Sequence, residues 1–415
     1  MDKSINNLTC IILAGGFGTR LQSVVSNVAK PMAPMGNKPF LQILMDYLHN
    51  QGIDRFVLAL GYKADSVTQH FDEKQVPYAI QYVYEKEPLG TGGAIKNALS
   101  VITDENILVV NGDTFFEIQV KSFVDDAKIS GAAFFMALME KKSTNRFGAV
   151  QIENTKVISF GTPHADGLNN AGVYFIKKSK FLEVCQADKL SLEEEIFPKL
   201  LLLSQLHGKK YDAYFVDIGI PEDYMKAKNK LGKIEIDSSW SLFLDRDGVI
   251  NKRIVDDYVK SVDEFHFIEG SLAAIAELSK LFERIVVVTN QQGIGKGIMT
   301  ERNLSDVHRY MLSEIEREGG KIDAVYFAPQ LSSENSEMRK PNPGMALQAK
   351  QDFTEIDFSK SVLIGDSDSD VRFGQNLGMI TVKLDNIDPC KSSPELFRAS
   401  LAECIELFNN VTFKN

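Results

Sequence analysis

The chain is 415 residues long, 44% hydrophobic and 25% charged, a balance of ordinary globular domains that excludes the disordered and fibrous classes. That length predicts two or three domains with full cores. The formal net charge of −10 disfavours phosphate backbones and anionic lipid, so neither nucleic acid nor membrane is an expected partner.

Cys10, Cys185, Cys390 and Cys404 lie far apart with no C-x-x-C pair, which predicts neither a disulfide framework nor a cysteine zinc site. The N-terminus shows no basic region followed by an apolar one, and no apolar run reaches membrane-spanning length. The expectation is a cytoplasmic protein.

Short apolar, β-branched runs recur along the chain at Cys10–Ala14, Phe56–Leu60, Ile107–Val110, Leu242–Leu244, Ile285–Val288 and Val362–Ile364. Each leads into glycine or aspartate and then helical periodicity, the pattern of buried parallel strands in an α/β fold. Functional residues are expected in the loops that follow those strands. A helical stretch, Pro221–Leu231, ends at Gly232, and a new strand opens at Trp240. The predicted domains are therefore 1–232, a linker at 233–239, a second domain at 240–385, and a helical tail at 386–415 packed on it. No hexapeptide or other internal repeat is present.

In chain order, the first strand runs into Gly15-Gly-Phe-Gly-Thr-Arg-Leu21. Small residues let the backbone approach a phosphate, making Gly15, Gly16, Gly18 and Thr19 candidate nucleotide contacts. Arg20 adds a forked cation and Lys30 a second. The loop matches neither the dinucleotide fingerprint nor the P-loop, and by itself reads more readily as a structural turn than as a ligand-binding loop. A second glycine loop, Glu87-Pro-Leu-Gly-Thr-Gly-Gly-Ala94, could approach a base or ribose through Gly90, Thr91 and Gly92. Asp113 follows the strand Ile107–Val110, and Asp217 follows the strand Tyr214–Val216. Two such carboxylates can hold Mg²⁺ while phosphates and water complete its shell.

Together these stretches resemble the sugar-1-phosphate nucleotidyltransferases over roughly residues 8–232. Leu13-Ala-Gly-Gly-Phe-Gly-Thr-Arg-Leu and Ala29-Lys-Pro-Met-Ala-Pro are most similar to D-glycero-D-manno-heptose 1-phosphate guanylyltransferases. The resemblance implies a Rossmann-like sheet and attack of a sugar phosphate oxygen on the α-phosphorus of an NTP, with release of pyrophosphate. It would place Arg20 on the leaving phosphates, Lys30 on the α-phosphate, Gly90 and its neighbours at the base, and Asp113 and Asp217 on Mg²⁺. Asn170-Ala-Gly-Val-Tyr and Ser191-Leu-Glu-Glu fall where that family lines its sugar pocket, through Asn170 and Glu193; both also read as turn and helix-start chemistry. Where many members carry Glu-Lys, this chain has Phe160-Gly-Thr-Pro-His164, leaving His164 either a ligand or a loop residue.

In the second half, Leu242–Leu244 delivers Asp245-Arg-Asp247-Gly, a carboxylate pair suited to a nucleophile beside a general acid/base. Thr289 and Asn290 close the next strand, Arg339-Lys340 forms a cation pair, and Asp366 and Asp370 follow Val362–Ile364. This order resembles the haloacid dehalogenase phosphatases over roughly residues 240–385. The likeness implies that Asp245 forms an aspartyl-phosphate and that Asp247 protonates the leaving oxygen and then activates water. Thr289 and Lys340 would hold the phosphoryl group, with Asp245, Asp366 and the Asp247 backbone on Mg²⁺ and Asp370 supporting the loop. The gaps from Asp245 to Thr289 and on to Lys340 leave no room for a large cap domain. Phe243-Leu-Asp-Arg-Asp-Gly-Val-Ile-Asn and Asn290-Gln-Gln-Gly-Ile-Gly-Lys-Gly narrow the likeness to D,D-heptose 1,7-bisphosphate phosphatases and their histidinol-phosphatase relatives, with Asn290 and Arg339 on substrate. Their zinc-loop positions are occupied here by Ala328, Gln330, Ser336 and Met338, which predicts no structural zinc.

The implied whole is a bifunctional, Mg²⁺-dependent enzyme of nucleotide-activated heptose synthesis for a surface glycan or lipopolysaccharide, using GTP or ATP with GTP favoured. Two alternatives stay open at this stage. One is a mannose or glucose 1-phosphate nucleotidyltransferase fused to a histidinol-phosphatase-like phosphatase, and the other a degenerate binding or regulatory module in one half.

Overall fold

The computed structural model describes residues 8–21, 25, 28–140, 148–161, 167–384 and 394–410. Cys390 and His164 lie outside them. The chain divides into two compact units, Met1–Pro34 with Pro39–Ala227, and Met35–Lys38 with Lys228–Asn415. Among the described residues no helix is long and apolar enough to cross a membrane. Cys10, Cys185 and Cys404 are free and buried.

The first unit is built on a nine-stranded sheet. Thr9–Ala14 lies between Arg55–Leu60 and Asn106–Asn111, parallel to both, and Ala79–Tyr84 extends the sheet beyond Arg55–Leu60. The first three are buried apolar runs, as the sequence predicts; Ala79–Tyr84, at the sheet edge, is largely exposed and is not among the runs read from sequence. Beyond Asn106–Asn111 the sheet is mixed: Leu168–Lys177 runs antiparallel to it and to Phe134–Glu140. An apolar run buried on both faces carries no mark of direction, so its orientation follows from the connections rather than from composition. The strand expected at Tyr214–Val216 forms at Phe215–Asp217 and pairs antiparallel with Thr114–Phe116 in a separate ribbon.

The second unit carries a six-stranded parallel sheet in the order Ala324–Ala328, Arg284–Asn290, Ser241–Leu244, Ser361–Gly365, Ile380–Leu384, Leu396–Arg398. In both sheets the first strand in the chain is central, and the connections leave it first to one side and later to the other. The loops at that reversal open a crevice at the strands' C-terminal ends. Gly15–Gly16 and Asp113 occupy it in the first unit, Asp245 and Asp366 in the second.

Two expectations are corrected in the second unit. Residues 233–239 are not a bare linker: Ile234–Ile236 is a strand paired in parallel with Phe408–Asn410. Ile234 and Ile236 are 0% and 1% exposed and belong to the same apolar cluster as Leu242 and Ile275. The tail is not simply helical either, since Leu396–Arg398 adds the sixth strand before the short helix Leu401–Cys404. Both strands have three residues, too few for periodicity to reveal, and each exists because a distant partner completes it. Ile236→Ala should therefore cost about 2–5 kcal/mol. The measurement is the urea midpoint for loss of phosphatase activity, and an unchanged midpoint would remove this strand from the core.

Candidate active sites

In the first unit a cavity of about 280 Å³ is lined by Gly15, Gly16, Lys30, Glu85, Gly90, Thr91 and Asp113, among others. Lys30 sits on a short 3₁₀ turn with Pro31 at its start, and its Nζ lies 2.6 Å from Asp113 Oδ2 and 3.7 Å from Asp217 Oδ1. The ribbon of Thr114–Phe116 with Phe215–Asp217 brings the two carboxylates together: Asp217 pairs with Thr114, and the Ile218 N–H donates to the Asp113 carbonyl at 3.0 Å. Two acidic side chains thus converge on one ammonium beside the glycine loop. Gly18, Thr19 and Arg20 do not line the cavity, and Thr19 and Arg20 are exposed on the turn that follows it.

The second glycine loop divides by role. Gly90 and Thr91 border the cavity, but Gly92 does not. Gly90 has φ +72°, and a Cβ there would stand 2.6 Å from the Leu190 carbonyl oxygen; at Gly92 it would stand 3.1 Å from the same atom. The Gly92 N–H donates to Leu190 O at 2.8 Å, and Thr91 Oγ1 accepts the Leu192 N–H at 2.8 Å. Gly92, expected as a nucleotide contact, instead lets the helix Gly90–Leu99 dock on segment 190–192. Asn170 lies at a bulge in Leu168–Lys177, donating from Nδ2 to the Tyr174 hydroxyl at 2.8 Å. Its side chain also bonds to Glu193, whose carboxyl is raised by desolvation.

Sequence reasoning missed Glu85. Its Oε2 accepts the Leu89 N–H at 3.0 Å, its carboxyl borders the cavity, and partial burial raises its pKa. The only signal was its place at a strand's end, just before the glycine loop.

In the second unit a cavity of about 370 Å³ gathers Asp245, Asp247, Thr289, Arg339, Lys340 and Asp366. Its outer wall is the segment following Asn251, with Arg253 and Tyr258, faced by Lys296. Asp245 Oδ1 accepts the Arg246 N–H at 2.7 Å and lies 2.8 Å from Lys340 Nζ, which leaves Oδ2 without a protein partner among the described residues. Lys340 also contacts Asp370 at 2.5 Å and donates to the Val288 carbonyl at 2.8 Å. Burial opposes its charge, but the carboxylates of Asp245 and Asp370 outweigh that and raise its pKa. Burial, and next the Asp370 charge, push the Asp245 carboxyl well up and that of Asp366 to about 7.

Asp245, Asp366 and Asp370 present oxygens within 4.8 Å of one another. Asp370, expected only to support the loop, does so through a capping box with Ser367 and also faces this cluster. Gly248 (φ +88°) is required here, because a Cβ would collide with Asp366 Oδ2. A cluster of hard, mutually repelling oxygen donors suits a small divalent cation.

Asp247 borders the same cavity but is not part of that cluster. Its carboxylate accepts from Arg246 Nη2 at 2.8 and 2.9 Å, from Asn251 Nδ2 at 2.9 Å and from Gln291 Nε2 at 2.9 Å. Burial alone would raise its pKa, but Arg246 and these donors outweigh it and the carboxyl is lowered. Arg246 is fully buried and donates to His308 Nε2 at 3.2 Å; burial, then the Arg246 charge, drop that imidazole to about 3. His308 therefore stays a neutral acceptor.

Asn290, expected on substrate, is committed to the backbone of Lys340: Oδ1 accepts its N–H at 3.0 Å and Nδ2 donates to its carbonyl at 3.3 Å. It borders the cavity as the brace of a cation. Arg339 also borders the cavity, donating from Nη1 to the Gln330 carbonyl at 3.4 Å. Arg246, Asn251, Gln291 and His308 were not singled out from sequence. The first three lie inside or beside the motifs quoted above, but an amide or guanidinium gives no sign of its partner.

Comparison with known proteins assigns each half. A nucleotidyl transferase family model matches residues 9–234, and a HAD-hydrolase-like model matches residues 337–385. The first half is 41% identical over 226 residues to the D-glycero-alpha-D-manno-heptose 1-phosphate guanylyltransferase of Aneurinibacillus thermoaerophilus, covering 54% of this chain and 98% of that protein. The second is 37% identical over 138 residues to the D-glycero-alpha-D-manno-heptose-1,7-bisphosphate 7-phosphatase of Mycobacterium bovis, covering 33% of this chain and 73% of that protein. A solved D,D-heptose 1,7-bisphosphate phosphatase from B. bronchiseptica, complexed with magnesium and phosphate, is 28% identical with a TM-score of 0.37, covering 40% of this chain and 96% of that one. The chain belongs to the nucleotidyl transferase family, fused to a haloacid dehalogenase-type half of the heptose bisphosphate phosphatase group.

Proposed function

We propose that the chain is a bifunctional, Mg²⁺-dependent enzyme that makes nucleotide-activated heptose. The second half removes the 7-phosphate of D-glycero-D-manno-heptose 1,7-bisphosphate. The first half transfers a guanylyl group from GTP to the remaining 1-phosphate and releases pyrophosphate. The observation that carries this reading is that one chain joins relatives of two enzymes whose named substrates are consecutive.

In the phosphatase half, Asp245 Oδ2 attacks phosphorus and the bond from phosphorus to the sugar oxygen breaks. Lys340 and Thr289 hold the phosphoryl oxygens, and Asp247 gives the departing oxygen its proton. Asp247 rests ionised, so it takes up that proton when the entering phosphate dianion raises its proton affinity. It then removes a proton from water, whose oxygen attacks the aspartyl-phosphate and frees phosphate. The carboxylates of Asp245 and Asp366, with the Asp247 backbone, would hold Mg²⁺, which supplies charge neutralisation.

In the transferase half, a 1-phosphate oxygen attacks the α-phosphorus while the bond to pyrophosphate breaks. Lys30 contacts the α-phosphate, Arg20 would have to reach the leaving phosphates from its exposed turn outside the cavity, and Asp113 with Asp217 would hold Mg²⁺. Catalysis here is positioning and charge neutralisation without a covalent intermediate. Gly15, Gly16, Gly90 and Thr91 shape the nucleotide pocket, with Asn170 and Glu193 toward the sugar. Glu85 supports guanine: its carboxylate only accepts, which matches the N–H donors on the guanine edge and opposes the bare ring nitrogen of adenine.

The intact protein should convert heptose 1,7-bisphosphate, GTP and Mg²⁺ into GDP-heptose, phosphate and pyrophosphate, with ATP a much poorer donor. Phosphorus NMR of the products checks this. Removal of the 1-phosphate in place of the 7-phosphate, or failure to use the 7-dephosphorylated product, would overturn the reading.

A further inference from the structure

Gln291 is fully buried at the end of the strand Arg284–Asn290, and its backbone N–H is pinned to the Ala328 carbonyl at 2.8 Å. Its Nε2 donates to two acceptors, Asp247 Oδ2 at 2.9 Å and Thr289 Oγ1 at 2.8 Å. A primary amide nitrogen carries two hydrogens, so this one is fully used. The Gln291 Oε1 is buried without a hydrogen-bond partner among the described residues. A buried orphan acceptor is unfavourable, and a side chain kept only for packing would not carry one.

Each bond has a chemical consequence. A threonine hydroxyl has one hydrogen and two lone pairs. Gln291 fills a lone pair, so the Thr289 O–H is left to donate, and among the described residues no acceptor is placed to receive it. Thr289 borders the 370 Å³ cavity, where a phosphoryl oxygen would be that acceptor. At Asp247, the other two side-chain donors, Arg246 and Asn251, belong to the loop that carries Asp247. Gln291 comes from the neighbouring strand. It alone among these donors ties Asp247 to the edge that holds the phosphoryl group.

We propose that Gln291 is a positioning residue of phosphoryl transfer, setting Asp247 against the leaving oxygen and turning the Thr289 hydroxyl toward the phosphoryl group. The proposal rests on the reading of Asp247 as general acid, and the test separates the two. Methionine at 291 keeps the length and volume of glutamine but has no N–H. In the full-length protein, Gln291→Met should lower kcat/KM for heptose 1,7-bisphosphate by roughly 10–100-fold. With p-nitrophenyl phosphate, whose leaving oxygen needs no proton, the part of the loss that acts through Asp247 disappears and only the part that acts through the Thr289 hydroxyl remains, so the loss should be clearly smaller, by about tenfold. A purely structural role would lower both alike. Asp247→Asn, measured beside it, should show the same selective loss, larger in size.

Selective loss in both variants supports the proposal. Selective loss in Asp247→Asn with equal loss, or none, in Gln291→Met overturns the role of Gln291 and leaves Asp247 as the acid. Unselective loss in Asp247→Asn overturns the acid reading and the role of Gln291 with it. Unchanged nucleotidyl transfer by the same preparations shows that the first half is unaffected.

Discussion

Asp245→Asn is expected to reduce phosphate release by roughly 10⁴-fold or more, the scale seen when a nucleophile is removed. Nucleotidyl transfer by the same protein should stay at its original rate. The amide is nearly isosteric and can still accept the Arg246 N–H through its oxygen, so the loop keeps its 2.7 Å contact. What disappears is the anionic oxygen that attacks phosphorus. Lys340 keeps Asp370 as a charged partner at 2.5 Å, so the substitution does not strand a buried cation. Phosphate and pyrophosphate release, assayed separately on one preparation, decide the matter. Parallel loss of both activities in a well-folded variant would undo the assignment to separate sites, and persistent phosphate release would remove Asp245 as nucleophile.

The complementary change, Asp113→Ala, should lower pyrophosphate release by roughly 10²–10³-fold, the range for losing a preorganised electrostatic group at a reacting phosphate. Asp113 makes the shorter of the two contacts to Lys30, 2.6 Å against 3.7 Å for Asp217. Its removal deprives Lys30 of its nearer anion and the proposed Mg²⁺ site of one of two carboxylates. Phosphate release should be unaffected. Raising Mg²⁺ should recover part of the activity if Asp113 acts through the ion. No change in pyrophosphate release would place the reacting phosphates away from this carboxylate.

Much of this protein is legible in its residues taken in order. The central strands announce themselves as short β-branched runs because burial on both faces demands apolar side chains throughout. The carboxylates and glycines that follow them could be located because open α/β sheets place chemistry where strands end. Asp113, Asp217, Asp245 and Asp366 were singled out in this way, each within a few residues of a recognisable strand, whereas Lys340 was singled out as half of a cation pair with Arg339.

What tertiary structure alone decided has a common physical origin: each feature depends on a partner remote in sequence. Ile234–Ile236 is a strand only because Phe408–Asn410 supplies its hydrogen bonds. Gly90 and Gly92 look alike in the chain and both clear the Leu190 carbonyl, yet only Gly90 also borders the cavity. Asn290 and Gln291 are adjacent amides; the first braces the Lys340 backbone and the second reaches Thr289 and Asp247. Residue type at a strand's end determined which chemistry is available. The packing of neighbouring segments decided which side chains are free to perform it, because a hydrogen bond is assigned by whichever acceptor the fold brings within about 3 Å.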